Sequence, residues 1–156
     1  MCTTLCQGFL LAQPSEIKPR MRVIVDNDFS GDPDGLFQMA HLLLSPSVDI
    51  LGIISSHLSV KDGFDPSTTR AENAAKKATE LLQIMNLEGK VPVVAGSNTG
   101  MTDDNTPVKS AGVDLIINEA LRSDTKQPLY VLCGAGLTEV ASALLTKPEI
   151  AGKITC

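Results

Sequence analysis

Apolar runs and polar stretches alternate along this chain at spacings that predict strands and helices in turn. Met21 to Val25 is a short run rich in β-branched residues that fits a buried strand, and Val48 to Ile54 and Leu129 to Cys133 have the same character. Val91 to Ala95 reads as a further strand, its proline near the entrance where a missing N–H costs little. Between them lie helical patterns. Pro33 opens one that carries Leu36, Phe37, Met39, Ala40, Leu42, Leu43 and Leu44 and is stopped by Ser45-Pro46. From Thr69 to Leu87, Ala71, Ala74, Ala78, Leu81, Leu82 and Met85 recur at helical spacing, with most charges on the opposite face. Ser110 to Arg122 and Leu137 to Leu145 complete the longer helices, and Pro148-Glu149 begins a short one before the next strand starts near the last residue, Cys156.

Strands alternating with helices imply βα units, an α/β fold with a mainly parallel sheet flanked by helices, and ligand sites at the carboxyl ends of the strands. One domain over residues 21–156 follows, preceded by an arm, residues 1–20, that is a signal-peptide remnant or a disordered segment. The stretch MCTTLCQGFLLAQ ends like a secretory signal but lacks a basic amino-terminal region, so a periplasmic or secreted location and a cytoplasmic one both stay open. No run is long enough to span a membrane.

Composition narrows the partners. A net charge of −5 with Lys76-Lys77 as the sole adjacent basic pair speaks against a nucleic-acid surface. With no Trp and one Tyr there is no stacking platform for single strands, which leaves small-molecule chemistry. The four cysteines, at 2, 6, 133 and 156, match neither a C-x-x-C metal site nor a disulfide framework.

The stretch DNDFSGDPDG, residues 26 to 35, is the densest chemistry in the chain. Four aspartates, Asp26, Asp28, Asp32 and Asp34, crowd one turn that Gly31, Pro33 and Gly35 keep tight. Such repulsion calls for a positive charge among the carboxylates. The spacing resembles the start of an EF-hand loop, but the twelfth position is Phe37, where a bidentate Glu is needed, and a strand precedes it instead of a helix. A strand ending in D-x-D also resembles the haloacid-dehalogenase phosphatases, with Asp26 as nucleophile, Asp28 as general acid and magnesium as cofactor. The later acidic pair that reading needs is met only by Asp103-Asp104, in a loop well past its strand.

A third resemblance covers more of the chain. VIVDNDFSGDPDGLFQMAHLLL is similar to the amino-terminal signature of the inosine-uridine-preferring nucleoside hydrolases, a strand ending in D-x-D-P-G-x-D-D before an Ala-rich helix. It continues through LGIISS, RAENAAKKATELL, VPVVAGSN and YVLCGAGLTEVASALLTKPEIAGKI, in the family's order, from Arg22 to Ile154. It implies a truncated nucleoside hydrolase-like, Rossmann-like core and hydrolysis of the N-glycosidic bond of ribonucleosides with one calcium ion (Ca2+). By motif position, Asp28 would bind calcium and act as general base, Asp34 would bind calcium, Asp32 ribose, and Cys133 would offer its backbone carbonyl to the metal. Pro33 stands where the family's aspartates adjoin, which leaves Asp32 and Asp34 free to exchange roles or cap the helix.

Asp26 is expected to orient the loop, Asn73 to be structural and His41 to be packed or partly exposed on its helix, while His57 and Ser59 fall where the family presents an asparagine to ribose. The implied partners are a nucleoside or ribose, and the resemblance is compatible with a homo-oligomer. Family chains are longer, and their later part carries further ribose-binding asparagines, a His near the leaving base and another calcium-binding aspartate. The isolated chain is therefore expected to bind calcium weakly, to dissolve poorly and to turn over little; an inert nucleoside- or metal-binding unit is the rival from another class.

Overall fold

A computed structural model describes residues 16–59, 61 and 63–156, so the expectations for residues 1–15 lie outside it. Residues 16 to 20 are exposed and without regular structure. Five strands, β1 (Met21–Asn27), β2 (Val48–Ser55), β3 (Val93–Ala95), β4 (Leu129–Cys133) and β5 (Ile154–Thr155), form one sheet in the order β3-β2-β1-β4-β5. Every pairing is parallel. The helices are α1 (Asp34–Leu43), α2 (Arg70–Ile84), α3 (Ala111–Ala120) and α4 (Thr138–Thr146), with a 3-10 turn at Pro148–Ile150. The expected α/β class holds, and the strand expected at the end of the chain pairs with β4.

Because side chains alternate along a strand, the two faces of β1 build two cores. Val23 and Val25 pack with Ile53 of β2, Met39 of α1, and Ala74, Ala78 and Leu82 of α2. Ile24 packs with Ile54, Val131, Val113 and Ile116 of α3, and Val140 and Ala143 of α4. Ile24 is completely buried, a change from water that contributes roughly 2 kcal/mol.

Element ends differ from the expectations for local reasons. α2 stops at Ile84, short of Leu87, because Asn86 adopts a left-handed conformation at φ 57° and Leu87 N–H turns back to the Leu82 carbonyl at 2.8 Å. β3 begins at Val93, since Pro92 has no N–H to donate and offers only its carbonyl, to Ile53 N–H at 2.9 Å. Ser110 Oγ accepts from Val113 N–H and caps α3. β1 runs two residues beyond its apolar run, through Asp26 and Asn27, both buried. No helix among the described residues is long and apolar enough to cross a membrane.

Candidate functional site

The strand order reverses direction at β1. From β1 the chain steps outward to β2 and β3, then returns to lay β4 on the other side. The crevice above the carboxyl ends of β1 and β4 is the topological switch point, where open α/β sheets bind ligands. The acidic loop starts there. Asp26 lies beside Cys133 in register, and Gly134 N–H extends the pairing to the Asp26 carbonyl at 2.8 Å.

Asn27 is buried, and its Oδ1 accepts the Asp28 N–H at 2.9 Å. The loop then tightens, with Gly31 N–H donating to the Asp28 carbonyl at 2.7 Å. Asp32 Oδ1 accepts the Asp34 N–H at 3.2 Å where α1 begins, one residue later than Pro33. Both carboxyls are exposed and hydrogen-bonded to each other. That bond lowers the pKa of Asp32 and raises that of Asp34, as expected of one proton shared between two acids. Asp28 is half-buried.

Beneath this loop lies a second pair of acids. Ser56 donates its hydroxyl to Asp26 Oδ1 and also approaches Glu139 Oε2 at 3.3 Å. Glu139 is fully buried, with Oε1 accepting the Ser97 N–H at 2.6 Å. Burial first, then the charges of Glu139 and Asp28, push the Asp26 carboxyl up to about 7, while the Ser56 hydrogen bond pulls the other way. Asp26 Oδ2 has no hydrogen-bond partner, and neither do Ser55 Oγ and His57 Nδ1. Burial pushes the Cys133 thiol up to about 12, with Asp26 the next cause, so this sulfur is no nucleophile at neutral pH.

The remaining expected residues separate by role. Asn73 Nδ2 donates to Asp65 Oδ2 and Ser67 Oγ, both at 3.0 Å, and ties the loop after β2 to α2. His41 is exposed on α1, and Ser59 is exposed. His57 Nε2 and Thr138 Oγ1 both face Gly100 at the same end of the sheet. Sequence reasoning missed Glu139. Its one signal was the G-L-T-E segment, where the family resemblance has G-L-T-N.

The donors named for calcium fit a hard cation in kind: the carboxylates of Asp28 and Asp34 and the strand-end carbonyl of Cys133 are all oxygen ligands, above a buried acid with a spare oxygen. They amount to part of a shell. Among the described residues, no three His, Cys, Asp or Glu side chains gather closely enough to hold a metal ion.

A parallel α/β sheet with an acidic loop at its switch point defines a class, an α/β protein with carboxylates gathered at the carboxyl end of its central strand. No protein-family model matches the sequence, and no curated protein matches it. Solved structures do. The chain is similar to an inosine-uridine preferring nucleoside hydrolase from Bacillus anthracis, with a TM-score of 0.58 at 20% identity over 86% of this chain and 48% of that one. It is also similar to a nucleoside hydrolase-related hypothetical protein from Saccharophagus degradans associated with carbohydrate metabolism, with a TM-score of 0.55 at 18% identity over 87% of this chain and 38% of that one. These likenesses establish a nucleoside hydrolase-like fold, and the chain spans less than half the length of either protein.

Proposed function

We propose that this chain provides calcium-holding residues of a nucleoside hydrolase-like N-glycosidase, which splits a ribonucleoside into base and ribose. The observation that carries the reading is the placement of the Asp28 to Asp34 loop at the β1/β4 switch point of a sheet whose solved neighbours include a nucleoside hydrolase. Asp28, Asp34 and the Cys133 carbonyl would hold the ion, and Asp32 would accept hydrogen bonds from ribose hydroxyls. Calcium, when bound, supplies a fixed positive charge that orients the sugar diol and acidifies a water. Asp28 would take the proton of the attacking water as its oxygen bonds to the anomeric carbon, while the electron pair of the breaking C–N bond would leave with the base, which takes up a proton from solvent. The surplus negative charge of the loop stabilises the positive charge that develops on the sugar ring.

Incubation of the chain with inosine, uridine and p-nitrophenyl riboside, with and without calcium, tests this. Slow, calcium-dependent release of ribose supports it. Saturable nucleoside binding without any release would instead identify an inert binding unit, the reading favoured by the incomplete ligand shell. Release of phosphate from phosphomonoesters would favour a dehalogenase-like phosphatase.

A further inference from the structure

The Asn27 side chain meets the site at three places, each next to an oxygen donor assigned above. Its Oδ1 accepts the N–H of Asp28 itself. Its amide nitrogen lies against Gly35, the neighbour of Asp34, where an added Cβ would come within 2.9 Å. The same nitrogen lies against Gly134, the neighbour of Cys133, where an added Cβ would overlap it. Neither glycine has a positive φ, so close approach of the amide, and not backbone conformation, explains why glycine occupies both positions. The amide's orientation is determined. A backbone N–H can only donate, so oxygen faces Asp28, and Nδ2 donates to Gln38 Oε1 at 2.9 Å. The main chain beneath is equally fixed, with the Asn27 carbonyl accepting from Ser56 N–H at 2.9 Å.

We propose that Asn27 is a positioning residue whose planar amide sets the spacing of the Asp28, Asp34 and Cys133 oxygens toward a hard cation. This rests on the calcium reading above and adds what holds the ligands together. They come from three segments: the end of β1, the start of α1 and the end of β4. A cation bound by several oxygens at about 2.3 to 2.6 Å requires those segments to hold a common distance. One buried side chain touching all three does this. Residues that orient metal ligands in this way typically change affinity by roughly 10 to 100-fold when removed.

Isothermal titration with calcium, carried to millimolar concentration, compares the full chain with Asn27→Ala, Gly134→Ala, Gln38→Ala and Asn27→Asp. Asn27→Ala and Gly134→Ala weaken binding by about 10-fold or more. Gln38→Ala, at an exposed position, weakens it by about 3-fold and supplies the test if the buried variants fail to melt cooperatively. Asn27→Asp keeps the acceptor for Asp28 N–H, while the Gln38 amide can turn to donate, and binding stays within about 3-fold. The Asp28 amide resonance shifts in Asn27→Ala and holds in Asn27→Asp. If the wild type binds calcium and Asn27→Ala binds it equally well, or if Asn27→Asp loses as much as Asn27→Ala, the positioning role is overturned and the calcium reading stands. If the wild type takes up no calcium, both fall together.

Discussion

The two ends of β1 treat buried charge in opposite ways. At the amino-terminal end Arg22, 6% exposed, donates to the Glu119 carboxylate at 3.2 Å, the Glu119 carbonyl at 2.9 Å and the Gln127 carbonyl at 3.2 Å. Arg122 closes the network onto Glu119 and Asp124. At the carboxyl-terminal end Asp26 shares a serine with another acid and leaves one oxygen unpartnered. Charge that is fully satisfied serves stability, whereas buried polar atoms left without partners mark a place prepared for something else. The asymmetry points to the same end of the sheet as the switch point does, from independent observations.

The sharpest way to break this comparison is to remove the cation at the satisfied end. Arg22→Met should cost about 3 to 5 kcal/mol in urea denaturation, because Glu119 keeps its charge with less compensation. Asp26→Asn at pH 8 should cost little or should stabilise, and an equal loss at both ends would erase the distinction.

Titration comes next. With EDTA present, Asp26 keeps its proton to about pH 7 in the fold, against an ordinary carboxyl value of 3.8 in the unfolded chain. The native state therefore binds the extra proton between these values, and stability falls as pH rises through that window, by on the order of 3 kcal/mol in all. Glu139, Asp28 and Cys133 are the titratable groups that face it. Asp65 and Asp124, held near 2 chiefly by hydrogen bonds from Ser67 and Arg122, act the other way: their contribution is present above about pH 4 and is lost as pH falls toward 2. Melting temperatures from pH 3 to pH 9 should show a maximum on the acid side of neutrality, and Asp26→Asn should flatten the alkaline limb.

Smaller effects sharpen the contrast. Glu139→Gln keeps the acceptor for Ser97 N–H and removes one of two facing charges, so at pH 8 it should stabilise by about 1 kcal/mol in the same urea assay. Lys77→Ala breaks an exposed pair with Glu80 and should change stability by less than about 0.5 kcal/mol.

Much of the fold was legible in the sequence because inner parallel strands are continuous apolar runs and α2 repeats its alanines at helical spacing. The missing parts have definite causes. Polarity could not announce that β1 continues through Asp26 and Asn27, since burial there comes from β2, β4 and the glycines around them. Glu139 reads as an ordinary helix-start acid. Its burial depends on Gly96 and Gly112, which lie close against its side chain and come from other segments. The acidic loop stood out by composition alone, but Asn27, lying between two aspartates, carried no signal of its contacts with Gly35 and Gly134.

The central place of β1 also bears on the order of events during synthesis. Its first partner, β2, follows within one helix, while its second, β4, is made only after β2, α2, β3 and α3. Until Leu129 to Cys133 leave the ribosome, one long edge of the nascent sheet lies open and the crevice has a single wall. Chaperone protection should therefore matter most for ribosome-bound chains halted between α2 and β4.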